Sequence, residues 1–222
     1  MTGRIRMGEQ LPQKPRITTL LFDWDGTVVD SAQLGLTAYE KAFAELGLAF
    51  DHQTYREVYS PNWLSVYEGL GLPQEQWARA DELWTRHYGE LSAELIAGAG
   101  ETLLQLQRKG YRMGVVSSGN DGRVNREIDE LGQRGLFEVV ICHEQISNRK
   151  PHPEGLETAM RLLGCVPAEV GYVGDTPEDI EMGKGAGVLT VGVRSDYPTS
   201  WKLESSQPDI LIETLTELTT HF

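Results

Sequence analysis

The chain has 222 residues, of which 40% are hydrophobic and 24% are charged, and its formal net charge is −13. This composition is typical of a soluble globular protein. The negative charge argues against a nucleic acid or an anionic membrane as partner, because their phosphate groups would be repelled. No segment has the length and apolarity of a membrane span or of a secretory signal.

The two cysteines, Cys142 and Cys165, lie in apolar stretches and lack the spacing of a metal site. We therefore expect buried, reduced thiols and a cytoplasmic location. Residues 1–15 are polar and include Pro12 and Pro15, which predicts a flexible leader.

The first predicted element is a strand over residues 17–22, which is apolar and β-branched, as is typical of a strand buried on both faces. Gly26 follows, so Asp23 and Asp25 come at the C-terminal end of the strand, on one side, with Trp24 on the other. Open α/β sheets bind ligands at this end. An ordinary turn is the alternative interpretation, because Asp and Gly are also common turn residues.

A block of helices follows this strand. Apolar residues recur there at helical spacing, and no strand is predicted between Val29 and Ile96. We expect residues 31–97 to form an inserted, all-helical domain, and residues 16–30 and 98–222 to form an α/β core. The predicted helices of the insert cover residues 34–46, 54–59, 62–70 and 73–91.

Beyond Gly98, strands and helices alternate regularly. Alternation at this spacing predicts a parallel sheet with right-handed crossovers, in a three-layer, Rossmann-like α/β fold. Residues 208–222 are expected to add a short edge strand and a last helix. Strands are predicted over residues 111–117, 138–143, 170–173 and 188–193, and helices over 101–109, 121–131, 153–163 and 177–186.

Two of these strands are followed by groups that could bind phosphate at the same sheet edge. Ser117 and Ser118 precede a helix that begins at Asn120 or Asp121, and a hydroxyl with free backbone N–H groups there can bind an anion. The alternative for Ser117 is a simple helix cap. The proline after Lys150 favours an extended backbone at the lysine, whose charge could neutralise a phosphate. The alternative is a solvated lysine on the surface.

A further strand ends at Asp175, which could join the first two aspartates around a metal ion. Thr176 and Asp179 have the spacing of a capping box, with Pro177 at the first helical position. Asp179 is therefore expected either to cap this helix or to support a metal ligand. Only Lys150 is available in this set to balance the carboxylates.

These motifs, in this order and at successive strand ends, resemble the haloacid dehalogenase-like hydrolase superfamily. The similarity extends from about Ile17 to the C-terminus. It implies that the helical insert is a mobile cap over the active site. The motifs are DWDGT at residues 23–27, Ser117, Lys150 and GDTPED at residues 174–179.

The resemblance also implies the chemistry. Asp23 would attack phosphorus in line and form an aspartyl-phosphate. Asp25 would protonate the leaving oxygen and then accept a proton from the hydrolytic water. Mg²⁺ would be bound by Asp23, the backbone carbonyl of Asp25 and Asp175. The phosphoryl oxygens would be held by Ser117, the backbone of Ser118 and Lys150.

The residue at the Asp25 position separates activities within the superfamily. Dehalogenases have an aromatic residue there, phosphonate hydrolases alanine and transport ATPases threonine, so Asp25 indicates phosphate-ester hydrolysis or phosphoryl transfer. Sugar phosphomutases have a histidine early in the cap, and residues 32–37 contain none. We therefore expect a Mg²⁺-dependent phosphatase for a small phosphorylated metabolite, similar to phosphoglycolate phosphatases. A pyrophosphatase, a sugar phosphomutase and a non-catalytic phosphate-binding regulator remain alternatives.

One loop of the insert could contribute to specificity. Residues 59–63, Tyr-Ser-Pro-Asn-Trp, place two aromatic side chains and an amide around a rigid proline. The loop is predicted either to face the substrate when the cap closes or to pack the small core of the cap.

Overall fold

The structure, a computed structural model, describes residues 16–222, so the leader predicted over residues 1–15 lies outside the described part. The strands are β1 (Thr19–Phe22), β2 (Val29–Asp30), β3 (Glu94–Leu95), β4 (Arg112–Val116), β5 (Val139–Ile141), β6 (Val170–Gly174), β7 (Leu189–Val193) and β8 (Ile210–Ile212). The helices are α1 (Ala32–Glu45), α2 (His52–Val58), α3 (Trp63–Gly69), α4 (Trp77–Gly89), α5 (Ala99–Arg108), α6 (Asp121–Glu130), α7 (Glu154–Leu163), α8 (Pro177–Ala186) and α9 (Leu218–His221).

A six-stranded parallel sheet in the order β5-β4-β1-β6-β7-β8 forms the centre of the molecule. Strand β1 pairs with β4 on one side and β6 on the other. This order brings the carboxyl ends of the three strands side by side, which is where the predicted motifs lie. The predicted α/β class and the edge position of the last strand, β8, are confirmed.

Helices cover both faces of the sheet. Leu20 and Phe22 of β1 pack in the cluster that contains residues of α5, α6 and α9, whereas Leu21 packs against α7 and α8. This alternation of side chains along one strand explains why β1 is apolar throughout. The predicted three-layer arrangement is confirmed.

The inserted helices α1 to α4 have a hydrophobic cluster of their own, which is rich in aromatic residues. Tyr39 and Phe43 of α1 stack with ring centroids 5.5 Å apart, and Tyr55 and Tyr67 join them. Helix α4 packs along α1. We call this segment the helical cap.

The expectation that no strand lies between Val29 and Ile96 is wrong. Strands β2 and β3 form a short antiparallel ribbon, with Val29 opposite Leu95 and Asp30 opposite Glu94. The ribbon joins the two chain segments that connect the helical cap to the core. A two-residue strand is too short to show an alternating pattern, and this one is created because the fold brings both ends of the insert together.

Two smaller expectations need correction. The helix predicted to begin at Pro73 starts as a 3-10 turn over Gln74–Gln76, and α4 begins at Trp77. Both cysteines are free thiols, but only Cys142 is buried, whereas Cys165 is partly exposed just beyond the end of α7. None of the helices between residues 16 and 222 is long and apolar enough to cross a bilayer.

Candidate active site

The carboxyl ends of β1 and β6 bring three buried carboxylates together. One oxygen of each of Asp23, Asp175 and Asp179 lies within 4.8 Å of the others. The backbone N–H of Asp23 donates to the carbonyl of Val173 at 2.8 Å, which extends the pairing of the two strands up to the site. Gly26 is required beside them, because its φ is +77° and an added Cβ would lie 2.5 Å from Asp175 Oδ2.

Lys150 joins two of these carboxylates. Its Nζ lies 2.8 Å from Asp23 Oδ1 and 2.7 Å from Asp179 Oδ1. The residue is only 5% exposed, so the alternative of a solvated surface lysine is wrong. Burial lowers the pKa of Lys150, but the Asp179 and Asp23 carboxylates together raise it above its ordinary value, and the ammonium group stays charged.

One lysine does not neutralise this cluster. Burial raises the pKa of Asp23 to about 7, although Lys150 opposes the shift. Burial and the charges of Asp179 and Asp23 raise the pKa of Asp175 well above its usual range. The raised pKa values of two neighbouring carboxyl groups favour a site that takes up a further cation.

Asp179 caps helix α8, which is the first of the two roles expected of it, and its support of a metal ligand stays a prediction. Its Oδ2 accepts hydrogen bonds from the Thr176 backbone N–H at 3.0 Å and from Thr176 Oγ1 at 2.6 Å, which completes the predicted capping box of α8. Its Oδ1 accepts from Tyr172 Oη at 2.8 Å and pairs with Lys150. Asp179 is therefore occupied in holding the helix and the lysine.

The donor set fits a hard divalent cation such as Mg²⁺. Asp175 accepts from Thr27 Oγ1 at 3.1 Å and from Ser195 Oγ at 2.6 Å, one bond on each oxygen, so both oxygens keep a lone pair. Asp23 faces the same space from β1. Buried carboxylate oxygens without nitrogen or sulfur donors are the ligands that Mg²⁺ prefers.

Arg123, which sequence reasoning missed, holds Asp25. Its Nη1 lies 2.9 Å from Asp25 Oδ1 and its Nη2 lies 2.5 Å from Oδ2, a bidentate pair. Burial opposes ionisation of Asp25, but Arg123 lowers its pKa below the ordinary value. The expectation that Lys150 alone balances the site is therefore wrong.

A sequence signal for Arg123 existed. Helix α6 buries Val124 and Ile128 toward the core, and Arg123 and Glu127 share that buried stripe. Arg123 Nη1 donates to Glu127 Oε2 at 3.1 Å, and Trp24 Nε1 donates to the same oxygen at 2.7 Å. Two opposite charges on an apolar helix stripe indicate a buried ion pair, and here it is linked to the site.

The serine motif lies where it was predicted. Ser117 is buried, and its Oγ accepts from the Gly119 backbone N–H at 2.9 Å. Asn120, not Ser117, caps α6, since its Oδ1 accepts from the Arg123 backbone N–H at 3.2 Å. The hydroxyl proton of Ser117 therefore remains available to a ligand. Ser118 lines the cavity described next.

A cavity of about 130 Å³ lies between these residues and the helical cap. Its floor is formed by the core residues Asp23, Asp25, Ser118, Gly119 and Arg123. Its roof is formed by residues of the cap, mostly aromatic ones.

The loop over residues 59–63 lines the cavity and also packs against the small core of the cap. Tyr59, Ser60, Pro61 and Trp63 line the cavity. The Tyr59 ring packs on Tyr55 of the cap, at 5.3 Å between centroids. Trp63 reaches the core, where its ring lies 4.6 Å from that of His143 and 3.8 Å from the Arg149 guanidinium carbon. The loop therefore both faces the cavity and fastens the cap to the core.

A buried parallel sheet that carries paired aspartates at the end of its central strand, beneath an inserted helical cap, defines a three-layer α/β protein with an acidic site. Known proteins agree with this class. A family model described as haloacid dehalogenase-like hydrolase matches residues 20–193. The chain belongs to the haloacid dehalogenase-like hydrolase family.

Individual relatives span almost the whole chain. Pyrophosphatase PpaX of Listeria monocytogenes serotype 4b (strain CLIP80459) is 31% identical over 207 residues, which cover 91% of this chain and 95% of the relative. Phosphoglycolate phosphatase of Escherichia coli O157:H7 is 28% identical over 232 residues, with 91% of each chain covered. The crystal structure of a predicted phosphoglycolate phosphatase from Haemophilus somnus 129pt has a TM-score of 0.84 at 20% identity, covers 92% of this chain and 97% of its own, and shows the same fold.

Proposed function

We propose that this protein is a Mg²⁺-dependent phosphatase that hydrolyses a small phosphate monoester through an aspartyl-phosphate on Asp23. The observation that supports this most directly is the environment of the Asp23 carboxylate. Its Oδ1 lies 2.8 Å from Lys150 Nζ and accepts a hydrogen bond from the Trp24 backbone N–H, also at 2.8 Å. Among the described residues, none bonds to Oδ2, so this oxygen of a fixed side chain is available to attack phosphorus at the cavity floor.

Asp25 is proposed as the general acid and base. Its carboxyl group lines the cavity two residues beyond Asp23, where it can give a proton to the leaving oxygen and later accept one from water. Arg123 pairs with both carboxylate oxygens and so fixes the orientation of the group. Because this pairing also lowers the pKa of Asp25, the proposed acid step requires Arg123 to release one oxygen when Asp25 takes up its proton. A protein that only binds phosphate would not need this acid, which argues against a non-catalytic regulator.

Asp23, Asp175 and the backbone carbonyl of Asp25 are proposed to hold the magnesium ion, with Asp179 supporting through Lys150. When bound, the ion would neutralise the carboxylates and the phosphoryl oxygens. Lys150 already lies beside Asp23 and supplies a second positive charge to the same place.

The phosphoryl oxygens are proposed to contact Ser117 Oγ, the Ser118 backbone N–H and Lys150. Ser117 and Ser118 lie between β4 and α6, and Lys150 lies in the loop before α7, so the proposed donors come from two separate segments of the core. Residues 31–97 are proposed as the cap and residues 16–30 and 98–222 as the catalytic core.

Relatives named for pyrophosphate and for phosphoglycolate offer two candidate substrates. The similarity to PpaX keeps a pyrophosphatase as the second candidate function. The missing early cap histidine argues against a sugar phosphomutase.

The test is phosphate release from p-nitrophenyl phosphate with Mg²⁺, with EDTA and in the Asp23→Asn variant. We expect turnover by the wild-type protein with Mg²⁺, and little or none with EDTA or in the Asp23→Asn variant. Equal rates with and without EDTA would contradict the metal requirement, and wild-type rates in Asp23→Asn would contradict the covalent intermediate.

A further inference from the structure

Six of the eight tyrosine and tryptophan side chains that line the cavity form a continuous row, which we call the aromatic belt. Five of them come from the cap, and Tyr197 comes from the core after β7. In order, the centroid distances are 4.8 Å for Tyr88–Trp84, 5.7 Å for Trp84–Tyr39, 5.9 Å for Tyr39–Tyr55, 5.3 Å for Tyr55–Tyr59 and 5.1 Å for Tyr59–Tyr197.

The two ends of the belt contact different residues of the core. At one end, the guanidinium carbon of Arg123 lies 4.9 Å from the centroid of the Tyr88 ring, next to Asp25. At the other end, the hydroxyl group of Tyr197 lies 3.0 Å from Ser31 Oγ, and its ring packs on Gly26. A phosphate ester bound to Asp23 would therefore have much of its alcohol portion against aromatic rings, with Ser60, Asp81 and Thr85 of the cap also in the lining.

The belt also offers a neutral polar contact. Tyr88 has a buried hydroxyl group beside Arg123, and no residue between 16 and 222 forms a hydrogen bond of good geometry with it. A hydroxyl, carbonyl or amide group on a ligand could pair with this oxygen.

The charged side chains around the cavity are unfavourable to an anionic alcohol portion. The acidic ones are Asp23, Asp25 and, on α4 in the cap, Asp81. Arg123 is already paired with Asp25 and with Glu127. Within the described range, the cap places no lysine or arginine in the cavity lining.

An anionic substituent under the belt would thus lose its hydration without gaining a cation from the cap, because the basic side chains of the lining, Arg123 and His143, belong to the core. It would also meet the negative faces of aromatic rings and the Asp81 carboxylate. The glycolate of phosphoglycolate and the second phosphate of pyrophosphate both carry such a charge. An uncharged apolar or aromatic body gains contact area with the same rings.

We propose that the substrate is a phosphate monoester whose alcohol carries no negative charge and has an apolar or aromatic body, which the aromatic belt and Asp81 select. This inference rests on the proposed phosphatase function for its biological meaning. It makes phosphoglycolate and pyrophosphate poor substrates of this chain, although relatives are named for them.

Binding of two inert analogues tests the selection without any need for turnover. They are 4-carbamoylbenzylphosphonate and 4-carboxybenzylphosphonate, which have nearly the same shape and differ in one charge. With the Mg²⁺-loaded protein, titration calorimetry should show at least about tenfold tighter binding of the amide. Equal or tighter binding of the carboxylate, or no binding of either analogue, would overturn the proposal.

Variants of Asp81 test whether its carboxylate causes the preference for the uncharged analogue. Asp81→Asn should reduce the preference for the amide, and Asp81→Lys should abolish or reverse it. Glu82→Gln is the matched control, because it removes one charge at the next position of α4 from a side chain that is 68% exposed and outside the cavity lining. An unchanged preference in Asp81→Lys would contradict the role of Asp81.

Turnover separates this proposal from the proposed function. The corresponding carbamoylphenyl and carboxyphenyl phosphates should differ in kcat/KM in the same direction as the analogues differ in affinity. Selective analogue binding with no hydrolysis of either ester would refute the phosphatase function and leave the binding selection standing. Hydrolysis with a preference for the carboxylate would refute the selection and leave the phosphatase function standing.

Discussion

The floor and the roof of the cavity hold their side chains in different ways. Floor residues lie near the carboxyl ends of buried parallel strands or on α6, and the charged ones are fixed by ion pairs, as Asp23 is by Lys150 and Asp25 is by Arg123. Roof residues lie on the helices of the cap and in the loop after α2, and they are fixed mainly by ring packing, with few polar contacts such as that of Trp84 Nε1 to the Gly35 carbonyl at 3.2 Å.

This difference separates chemistry from selection. A charged group that is displaced from two partners leaves them buried and unpaired, so the floor tolerates little change. An aromatic ring replaced by another apolar side chain costs far less, so the roof can vary. We therefore expect floor substitutions to slow the chemical step of every ester and roof substitutions to change which alcohol portion is preferred.

The largest effect is expected for Asp23→Asn. The amide cannot attack phosphorus, so kcat should fall by on the order of 10⁴ or more for every ester. Thermal unfolding should show that the variant still folds. Asp25→Asn is the comparison, because it should slow esters with poor leaving groups more than p-nitrophenyl phosphate. A loss confined to some esters in Asp23→Asn would break the distinction between floor and roof.

Lys150→Met should reduce stability most. It leaves the buried Asp23 and Asp179 without their shared cation, so the free energy of unfolding in EDTA at pH 7 should fall by about 3–5 kcal/mol. The deficit should shrink toward pH 5, because the two carboxyl groups can then accept protons more readily. Urea unfolding at both pH values measures this. The control is Lys41→Met, whose exposed pair with Glu90 should contribute less than about 1 kcal/mol.

Magnesium should stabilise the floor. At a hundredfold excess over its dissociation constant the gain is about 2.7 kcal/mol, a rise in Tm of roughly 5–10 °C. The raised pKa values of Asp23 and Asp175 mean that the metal-free folded protein keeps protons that the unfolded chain has released. Metal-free stability should therefore fall as the pH rises from about 4 through 7, and the Mg²⁺-induced shift should be larger at pH 8 than at pH 5.5.

Asp175→Asn tests the same site. It removes a proposed ligand and a repelling charge, so metal-free stability should be equal or higher and most of the Mg²⁺-induced shift should vanish. Differential scanning fluorimetry with Mg²⁺ and with EDTA measures both. A full shift in this variant would place the metal elsewhere.

The smallest effect is expected for Trp63→Leu in the roof. This ring fastens the cap to His143 and Arg149, and such contacts contribute about 0.5–1.5 kcal/mol. KM should rise roughly 2–10-fold with a smaller change in kcat, because the floor is untouched. Steady-state kinetics should show no change for the control Trp201→Leu, whose side chain is 71% exposed. A loss in kcat as large as that of Asp23→Asn would show that the roof also sets the chemistry.

The sequence by itself determined the order of the elements and most of the floor. The apolar run before Asp23 and the glycine after Asp25 predict a buried strand and its end, and the position of Asp175 follows from the same pattern. Parallel strands place their carboxyl ends on one edge, so these residues had to meet. Local patterns of this kind depend on near neighbours in the chain and can be interpreted without coordinates.

Only the tertiary structure decided the contacts between distant segments. Arg123 and Asp25 are 98 residues apart, and nothing in either segment names the other as partner. Asp179 was expected to cap a helix, and only the fold shows that the same carboxylate also pairs with Lys150. The aromatic belt draws on three cap helices, a loop and the core, so that no single segment shows it. Side-chain packing across the cap and core depends on the closed three-dimensional arrangement, and local periodicity does not contain that information.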